Sequence, residues 1–190
     1  MTIFESIIPA LWFVFLVYWG ISALDAKRSI PSRAWWTQSL LRLGIVLLAL
    51  SAIRIFGVGH ALRIAQSYQT RSIALGAIGT VLVAAGVGLA VFARVYLGRN
   101  WGMPMSRKEH PELVTGGPYA VVRHPIYTGI ILAMLGSAIG LSFYWLLPLV
   151  AFTPYFIHSA RREEALMCEQ FPAQYPDYMR RTSMIVPFVL

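Results

Sequence analysis

The chain has 190 residues, of which 57% are apolar and 13% are charged, and its formal net charge is +8 at pH 7. This length fits one domain, and the high apolar content indicates that the solvent is a lipid bilayer rather than water. The basic residues are scattered between apolar runs, which argues against nucleic-acid binding, and the single cysteine, Cys168, excludes an internal disulfide and a cysteine zinc cluster.

Five apolar segments are each long enough to cross about 30 Å of hydrocarbon as a helix. They cover residues 3–24, 38–58, 72–97, 125–141 and 143–158. The first has no basic leader and no small-residue cleavage site, so we expect a membrane span rather than a cleaved signal peptide. The last two segments are separated by only a residue or two, which predicts a tight antiparallel helical hairpin. The expected fold is a single all-α domain over residues 1–190, a polytopic bundle of about five transmembrane helices.

The placement of positive charge predicts the orientation of the bundle. Nearly all lysines and arginines outside the spans lie in residues 25–37, 94–124 and 159–190, whereas the opposite side has only Arg63 and Arg71. Positive loops stay in the cytoplasm, so we expect the N-terminus outside and the C-terminus inside, in a bacterial inner membrane or its equivalent. The polar segments 98–124 and 159–190 then share the cytoplasmic side and can meet.

The third apolar segment contains a run of small residues between positions 76 and 88. Small residues let helices approach closely in lipid, so this span is the predicted packing centre of the bundle. Close approach of its backbone to a ligand is the alternative.

The densest polar motif lies where a basic loop meets the fourth apolar segment. Residues 116–119 read Gly-Gly-Pro-Tyr, and residues 123–129 read Arg-His-Pro-Ile-Tyr-Thr-Gly. Pro125 suits the first position of a helix, whose free N–H groups and positive dipole end could bind a carboxylate or phosphate. A plain helix start with a snorkelling arginine and an interfacial tyrosine fits the same pattern, and spacing alone leaves both interpretations open.

A second polar motif, Arg-Arg-Glu-Glu-Ala-Leu at residues 161–166, follows the fifth segment. On a helix, Glu163 and Glu164 point about 100° apart, so we expect only one of them to face a pocket beneath the helix. Taken alone, the motif fits an interfacial amphipathic helix with solvated acids. The short hairpin changes this expectation, because it places Arg123, His124 and the neighbouring tyrosine beside Glu163.

Other types of site find little support in the sequence. His60, His110 and His158 have no partners at metal-ligand spacing, so we expect no metal site. The chain has no P-loop, no glycine-rich dinucleotide motif after a strand and no serine elbow. A soluble Rossmann-type cofactor domain is therefore not expected.

Taken together, the two polar motifs resemble the isoprenylcysteine carboxyl methyltransferase family and, more distantly, the phospholipid N-methyltransferases. The matching pieces are Leu-Gly-Arg-Asn-Trp at 97–101, Glu-Leu-Val at 112–114, the two motifs themselves, and then Phe171, Tyr175 and Tyr178. These families are small integral-membrane enzymes that use S-adenosylmethionine. The apolar segments place the first three spans in residues 1–93. The resemblance covers about residues 94–182 and implies that residues 94–190 form a catalytic half whose C-terminal helices cap the cofactor on the cytoplasmic side.

The resemblance also implies roles for individual residues. It implies a cofactor pocket lined by Leu113, Val114, Tyr119, His124, Pro125, Tyr127 and Glu163. The candidate catalytic residues are Arg123, Arg162 and Glu163. In the prenylcysteine enzymes an arginine one turn before the paired glutamates holds the acceptor carboxylate. That position corresponds to Ser159 here, which leaves Arg161 and Arg162 as alternative ligands.

The resemblance predicts methyl transfer to a lipophilic acceptor, with a carboxylate of the isoprenylcysteine type as the first candidate. Phospholipid or small-molecule N- or S-methyl transfer shares the cofactor site and changes only the acceptor, and a non-catalytic membrane protein is a further alternative. An amine or thiol must lose a proton, and His158 or a tyrosine is the available base. The expected partners are membrane lipids and the acceptor, with no nucleic acid; the oligomeric state stays open.

Overall fold

The structure is a computed structural model that describes residues 3–23, 29–30, 69–70, 72–98, 107–108 and 112–187. In these residues it has the helices α1 (Phe4–Ala23), α2 (Ile73–Leu97), α3 (Pro125–Gly140), α4 (Leu146–Gln170) and α5 (Tyr175–Arg181). Two two-residue strands, β1 (Ser29–Ile30) and β2 (Arg107–Lys108), pair antiparallel with Ser29 opposite Lys108. The helical fold expected from the sequence is confirmed for this part of the chain, while the apolar segment 38–58 lies outside it.

Helices α1 and α2 form where the first and third apolar segments predict them. Among the described helices, these two are long and apolar enough to cross a membrane, whereas α3 has only 16 residues. The hydroxyl of Ser72 caps α2 by accepting a hydrogen bond from the Leu75 N–H at 3.4 Å. Gly98 follows the last helical residue with a φ of 54°, a conformation that a residue without a Cβ adopts easily. The number of membrane spans stays a prediction.

The small residues of α2 pack directly against the backbone of α3. A Cβ added to Gly86 would lie 2.6 Å from the Ala133 nitrogen, and one added to Gly136 would lie 2.7 Å from the Gly79 carbonyl oxygen. Gly129 makes the same kind of approach to Gly86. The prediction that this span is the packing centre is confirmed, because the two backbones could not come this close with larger side chains between them.

Apolar side chains of α1 complete the core against α2 and α3. Ile8 and Phe15 are buried against Val83, Val87 and Ala90 of α2. One polar link crosses this region: the indole N–H of Trp12 in α1 donates to the Ser137 hydroxyl of α3 at 2.9 Å, and the Trp12 ring stacks on Trp145. The first three described helices therefore form one packed unit.

The last two apolar segments form the predicted hairpin, with one correction. A short 3-10 turn (Phe143–Trp145) leads into α4, which continues past residue 158 to Gln170. The polar motif at 161–166 is therefore the second half of the same helix and not a separate interfacial one. The helix ends where Pro172 follows Phe171, because a residue before proline is disfavoured in helical conformation.

The chain returns to the start of α3 after α5. Val122 and Ser183 form an isolated parallel bridge, so the segment after α5 runs beside the residues that precede α3. The start of α3, the polar half of α4 and the chain after α5 thus meet at one end of the bundle, and the predicted site residues lie there.

Candidate functional site

A turn before α3 leads the chain into the site. Gly117 has a φ of 57° and begins a 3-10 turn (Gly117–Ala120), and a Cβ at Gly117 would lie 2.6 Å from the ring of Tyr96. Only glycine fits both the left-handed backbone and the contact with the ring. The turn buries Tyr119, whose hydroxyl donates to the Ala93 carbonyl at 3.3 Å. Tyr119 is thereby fixed against the end of α2.

The first residues of α3 carry a stack of rings. His124 occupies the N-cap position and Pro125 the first helical position, as predicted. The imidazole of His124 is 9% exposed and stacks on the Tyr127 ring, with centroids 5.5 Å apart. Tyr127 in turn stacks on Phe156 of α4 at 4.9 Å. These contacts join the polar start of α3 to the apolar half of α4.

Glu163 and Glu164 of α4 both face this stack. The Tyr127 hydroxyl donates to Glu163 Oε1 at 2.6 Å, and His124 Nδ1 lies 3.6 Å from Glu163 Oε2. Glu164 Oε1 lies 3.4 Å from His124 Nε2 and 2.5 Å from Arg123 Nε. The predicted proximity of His124 and Tyr127 to Glu163 is confirmed, whereas Arg123 contacts the neighbouring Glu164.

The expectation that only one glutamate can face the site is wrong. A glutamate side chain has three rotatable bonds, so a difference of about 100° on the helix does not keep two neighbouring carboxylates apart. His124 lies between them and contacts Glu163 with one ring nitrogen and Glu164 with the other. Glu164 is the more buried of the two, with 6% of its side chain exposed against 27% for Glu163.

Arg123 points into the protein. Its side chain is 8% exposed; besides Glu164, its guanidinium donates to the carbonyl oxygens of Met179, at 3.1 Å, and of Thr182. By contrast, Arg161 and Arg162 are exposed on α4. Contacts with α4, α5 and the segment after α5 thus hold the Arg123 side chain in place.

Burial and charge shift the pKa values around the site. Burial raises the pKa of the Glu164 carboxyl, but the contacts and charges of His124 and Arg123 outweigh burial and hold it below its ordinary value. Burial also raises the pKa of Tyr119 and Tyr175 above the ordinary range of a phenol, and raises that of Tyr178 to about 12. At neutral pH the site therefore has an ionised Glu164 beside neutral tyrosines.

Leu113, Val114 and Ser159 are the remaining residues to which the resemblance points. Leu113 and Val114 are half-buried in the segment that precedes the turn. Ser159 is fully buried on α4, and its hydroxyl has no hydrogen-bond partner among the described residues. In contrast, the hydroxyls of Ser137 and Thr153 donate to the carbonyl four residues earlier, at 2.8 and 2.7 Å. Ser159 is thus a buried polar group with unused hydrogen-bonding capacity.

Besides Glu164, sequence reasoning missed two contributors. Phe156 lies seven residues before Glu163, a spacing that puts both on one face of a helix, and this signal was available from the sequence. The segment after α5 carries no motif that connects it with α3, and only the fold reveals its position. Within the described part of the chain, no group of three His, Cys, Asp or Glu side chains could hold a metal ion.

A family model described as phospholipid methyltransferase matches residues 73–174, which is more than half of the chain. The chain belongs to this family. The matched range contains α2, α3, α4 and every residue predicted to line the site. It ends before α5 and the segment that follows.

Individual relatives extend the comparison. The chain is 30% identical over 117 residues to protein-S-isoprenylcysteine O-methyltransferase B of Arabidopsis thaliana, covering 58% of each chain. It is 31% identical over 104 residues to the nickel-cobalt-cadmium resistance protein NccN of Alcaligenes xylosoxydans xylosoxydans, covering 53% of this chain and 48% of the relative. The chain spans about half the length of the curated relatives it matches.

The fold has a solved counterpart. The structure of the eukaryotic intramembrane Ras methyltransferase, an isoprenylcysteine carboxyl methyltransferase, superposes with a TM-score of 0.55 at 23% identity. The match covers 84% of this chain and 55% of the other. The resemblance read from the two polar motifs is confirmed, and the membrane-protein fold that it implied is shared with this enzyme.

Proposed function

We propose that the protein transfers a methyl group from S-adenosylmethionine to a lipophilic acceptor at the membrane. The observation that carries the proposal is the cluster of His124, Tyr127, Glu163 and Glu164 at one end of an otherwise apolar bundle. A chain that only crossed a bilayer would have no need to gather two carboxylates and an imidazole there. The family description and the plant relative's name support the same chemistry.

The residues present suit the cofactor. S-adenosylmethionine supplies an electrophilic methyl group on a positively charged sulfur, and it also carries a carboxylate, an amino group and a ribose. The N–H groups in the first turn of α3 and the imidazole of His124 would hold the carboxylate. Glu163 would accept hydrogen bonds from the amino group or ribose, and the Tyr127 hydroxyl would orient Glu163, because the Tyr127 ring is already stacked between His124 and Phe156. Tyr119 would flank the adenosine and sulfonium with its ring.

The protein's own contribution to the reaction is alignment and the exclusion of water. A carboxylate acceptor is already ionised at neutral pH, so no base has to remove a proton from it. The buried tyrosines also stay protonated, which keeps the site free of competing phenolate nucleophiles. Holding the two reactants in line in a dry pocket is the main source of rate enhancement in such a transfer.

The first candidate acceptor is a carboxylate of the isoprenylcysteine type. The name of the plant relative supports it. So does Ser159, whose hydroxyl has no partner among the described residues. It lies one helical turn below Glu163, on the apolar side, where the head of a lipid-like molecule would meet the cofactor. In this proposal Ser159 donates to the acceptor, and Arg123 supports the site through Glu164.

The second candidate acceptor is a lipid amine, which the family description favours. We propose the same membrane setting for both candidates: about five spans, the site facing the cytoplasm of a bacterial inner membrane or its equivalent, and helices at the C-terminal end covering the cofactor. A C-terminal green fluorescent protein fusion should then fluoresce, and a C-terminal alkaline phosphatase fusion should be inactive. The reverse pattern would exclude this orientation.

Binding of S-adenosylmethionine to the purified protein in detergent tests the proposal. Wild type should bind, whereas Glu163→Ala and His124→Ala should bind at least about tenfold more weakly, the equivalent of losing a charge-assisted hydrogen bond. Glu169→Ala is the matched control, an exposed carboxylate on the same helix. Failure of wild type to bind would exclude the function; unchanged binding by both site variants would exclude the site.

Transfer of a labelled methyl group then separates the acceptors. A farnesylcysteine analogue should be labelled if the acceptor is a carboxylate, and a phospholipid extract should be labelled if it is an amine. Ser159→Ala should raise the KM for the preferred acceptor and leave the KM for S-adenosylmethionine unchanged. If neither acceptor is labelled, the chain shares the fold of its family but not the methyl transfer proposed here.

A further inference from the structure

The chain after α5 pairs with the residues that precede α3. We refer to residues 182–185 as the C-terminal clasp. The N–H groups of Arg123 and His124 donate to the carbonyl oxygens of Ser183 and Met184 at 2.9 and 3.0 Å, and the Ser183 N–H donates to the Val121 carbonyl at 3.3 Å. The clasp thus fixes the backbone on which the imidazole of His124 is mounted.

Side chains reinforce this pairing at both ends. The hydroxyl of Thr128, one turn into α3, donates to the Ile185 carbonyl at 2.6 Å, and the Arg123 guanidinium donates to the Thr182 carbonyl. Ile185 and Val122 are each 3% exposed, so the contact is dry. Hydrogen bonds shielded from water in this way hold geometry well, because no solvent competes for their donors.

The contacts bear directly on the proposed cofactor site. His124 reaches Glu163 and Glu164 only if its backbone stays where the clasp holds it, since its side chain has just two rotatable bonds. Arg123 joins the same carboxylate, Glu164, to the clasp carbonyl of Thr182. The start of α3 is therefore held from α4 on one side and from the clasp on the other.

We infer that the C-terminal clasp is a positioning element of the cofactor site, acting through Arg123 and His124, with Thr128 as its anchor on α3. The inference rests on the proposed function for its effect on ligand binding. The clasp contributes no side chain to the ligand. It sets the direction of the imidazole and of the first-turn N–H groups of α3, and so sets the affinity for the methyl donor.

The test removes one anchor and compares it with a matched hydroxyl elsewhere. Thr128→Val deletes the donor to Ile185 together with a longer bond to the His124 carbonyl at 3.2 Å, and Thr128→Ser keeps the hydroxyl. Thr153→Val deletes a helical hydroxyl that bonds only within α4, to the Leu149 carbonyl. Binding of S-adenosylmethionine should weaken roughly two- to tenfold in Thr128→Val, the equilibrium equivalent of one neutral hydrogen bond. Thr128→Ser and Thr153→Val should bind like wild type.

Amide hydrogen exchange provides a second measurement that does not depend on the ligand. Exchange in residues 119–126 should be faster in Thr128→Val than in Thr153→Val, because the carbonyls of Ser183 and Met184 that accept from Arg123 and His124 are less firmly held once the bond from Thr128 to Ile185 is lost. Equal exchange and equal affinity in the two variants would overturn the inference. If wild type fails to bind S-adenosylmethionine, the proposed function fails instead, and faster exchange in Thr128→Val alone would still support the clasp.

Discussion

The buried pair of Arg123 and Glu164 allows a quantitative prediction. Their side chains are 8% and 6% exposed, so neither charge can recover hydration if the other is removed. Breaking a pair this buried costs roughly 3–5 kcal/mol of unfolding free energy. Glu164→Gln should lie near the lower bound, because Arg123 keeps the carbonyls of Met179 and Thr182 as acceptors. Arg123→Met should lie near the upper bound, because it also removes the donor to both carbonyls.

Combining the two substitutions in one protein measures the interaction energy between Arg123 and Glu164. The double variant should be less destabilised than the sum of the single variants by about 0.5–3 kcal/mol, since it leaves no unpaired charge inside the protein. The ion pair of Asp177 and Arg180 is the matched control: its side chains are 56% and 73% exposed, and Asp177→Asn should cost about 1 kcal/mol or less.

Unfolding in mixed lipid–detergent micelles with increasing dodecyl sulfate, followed by circular dichroism, measures these free energies. All variants should be compared at one pH and one ionic strength, because the exposed control pair is sensitive to salt. A Glu164→Gln protein as stable as Asp177→Asn would refute the reasoning, since it would mean that water reaches the Arg123 guanidinium.

Three further predictions use the same unfolding assay. Gly86→Ala should destabilise the protein by roughly 1–3 kcal/mol, because the added Cβ would meet α3. Gly88→Ala should instead stabilise it by about 0.5–1 kcal/mol, because nothing lies within 4 Å of the added Cβ. Equal effects of the two substitutions would contradict the close packing of α2 on α3. Gly117→Ala should cost at least about 1–2 kcal/mol because of its φ of 57°, and a neutral result would argue against that turn. The folded pKa of Glu164 lies below the ordinary 4.5, so its stabilising contribution is complete above that pH and disappears as pH falls through the folded value. The difference in stability between wild type and Glu164→Gln should therefore narrow in acid, and a constant difference would contradict the pKa shift.

Local patterns predicted much of the fold and of the site. The lengths of the apolar runs predicted α1, α2 and α3, because a helix in lipid satisfies its backbone hydrogen bonds within its own segment. The small residues around Gly86 predicted that α2 is the packing centre of the bundle, and the structure identified α3 as the helix that packs on them. The motif around His124 and Pro125 predicted a helix start, since a proline there loses no hydrogen bond. These features depend on neighbours in sequence, so they can be read without the fold.

Tertiary structure decided where the charged side chains point. Whether one or both of Glu163 and Glu164 face the site depends on the rotamers that His124 and Arg123 permit, and those residues lie about 40 positions away. From the sequence, Arg123 could face either an acceptor or the protein interior. In the folded protein it points to the interior, where it donates to the carbonyls of Met179 and Thr182. The pairing of residues 182–185 with the start of α3 joins segments about 60 positions apart through backbone atoms. Pairing between backbone atoms leaves no pattern of side chains in the sequence. The sequence by itself therefore determined the helices and the site motifs of this protein, whereas only the folded chain determined which contacts hold the site together.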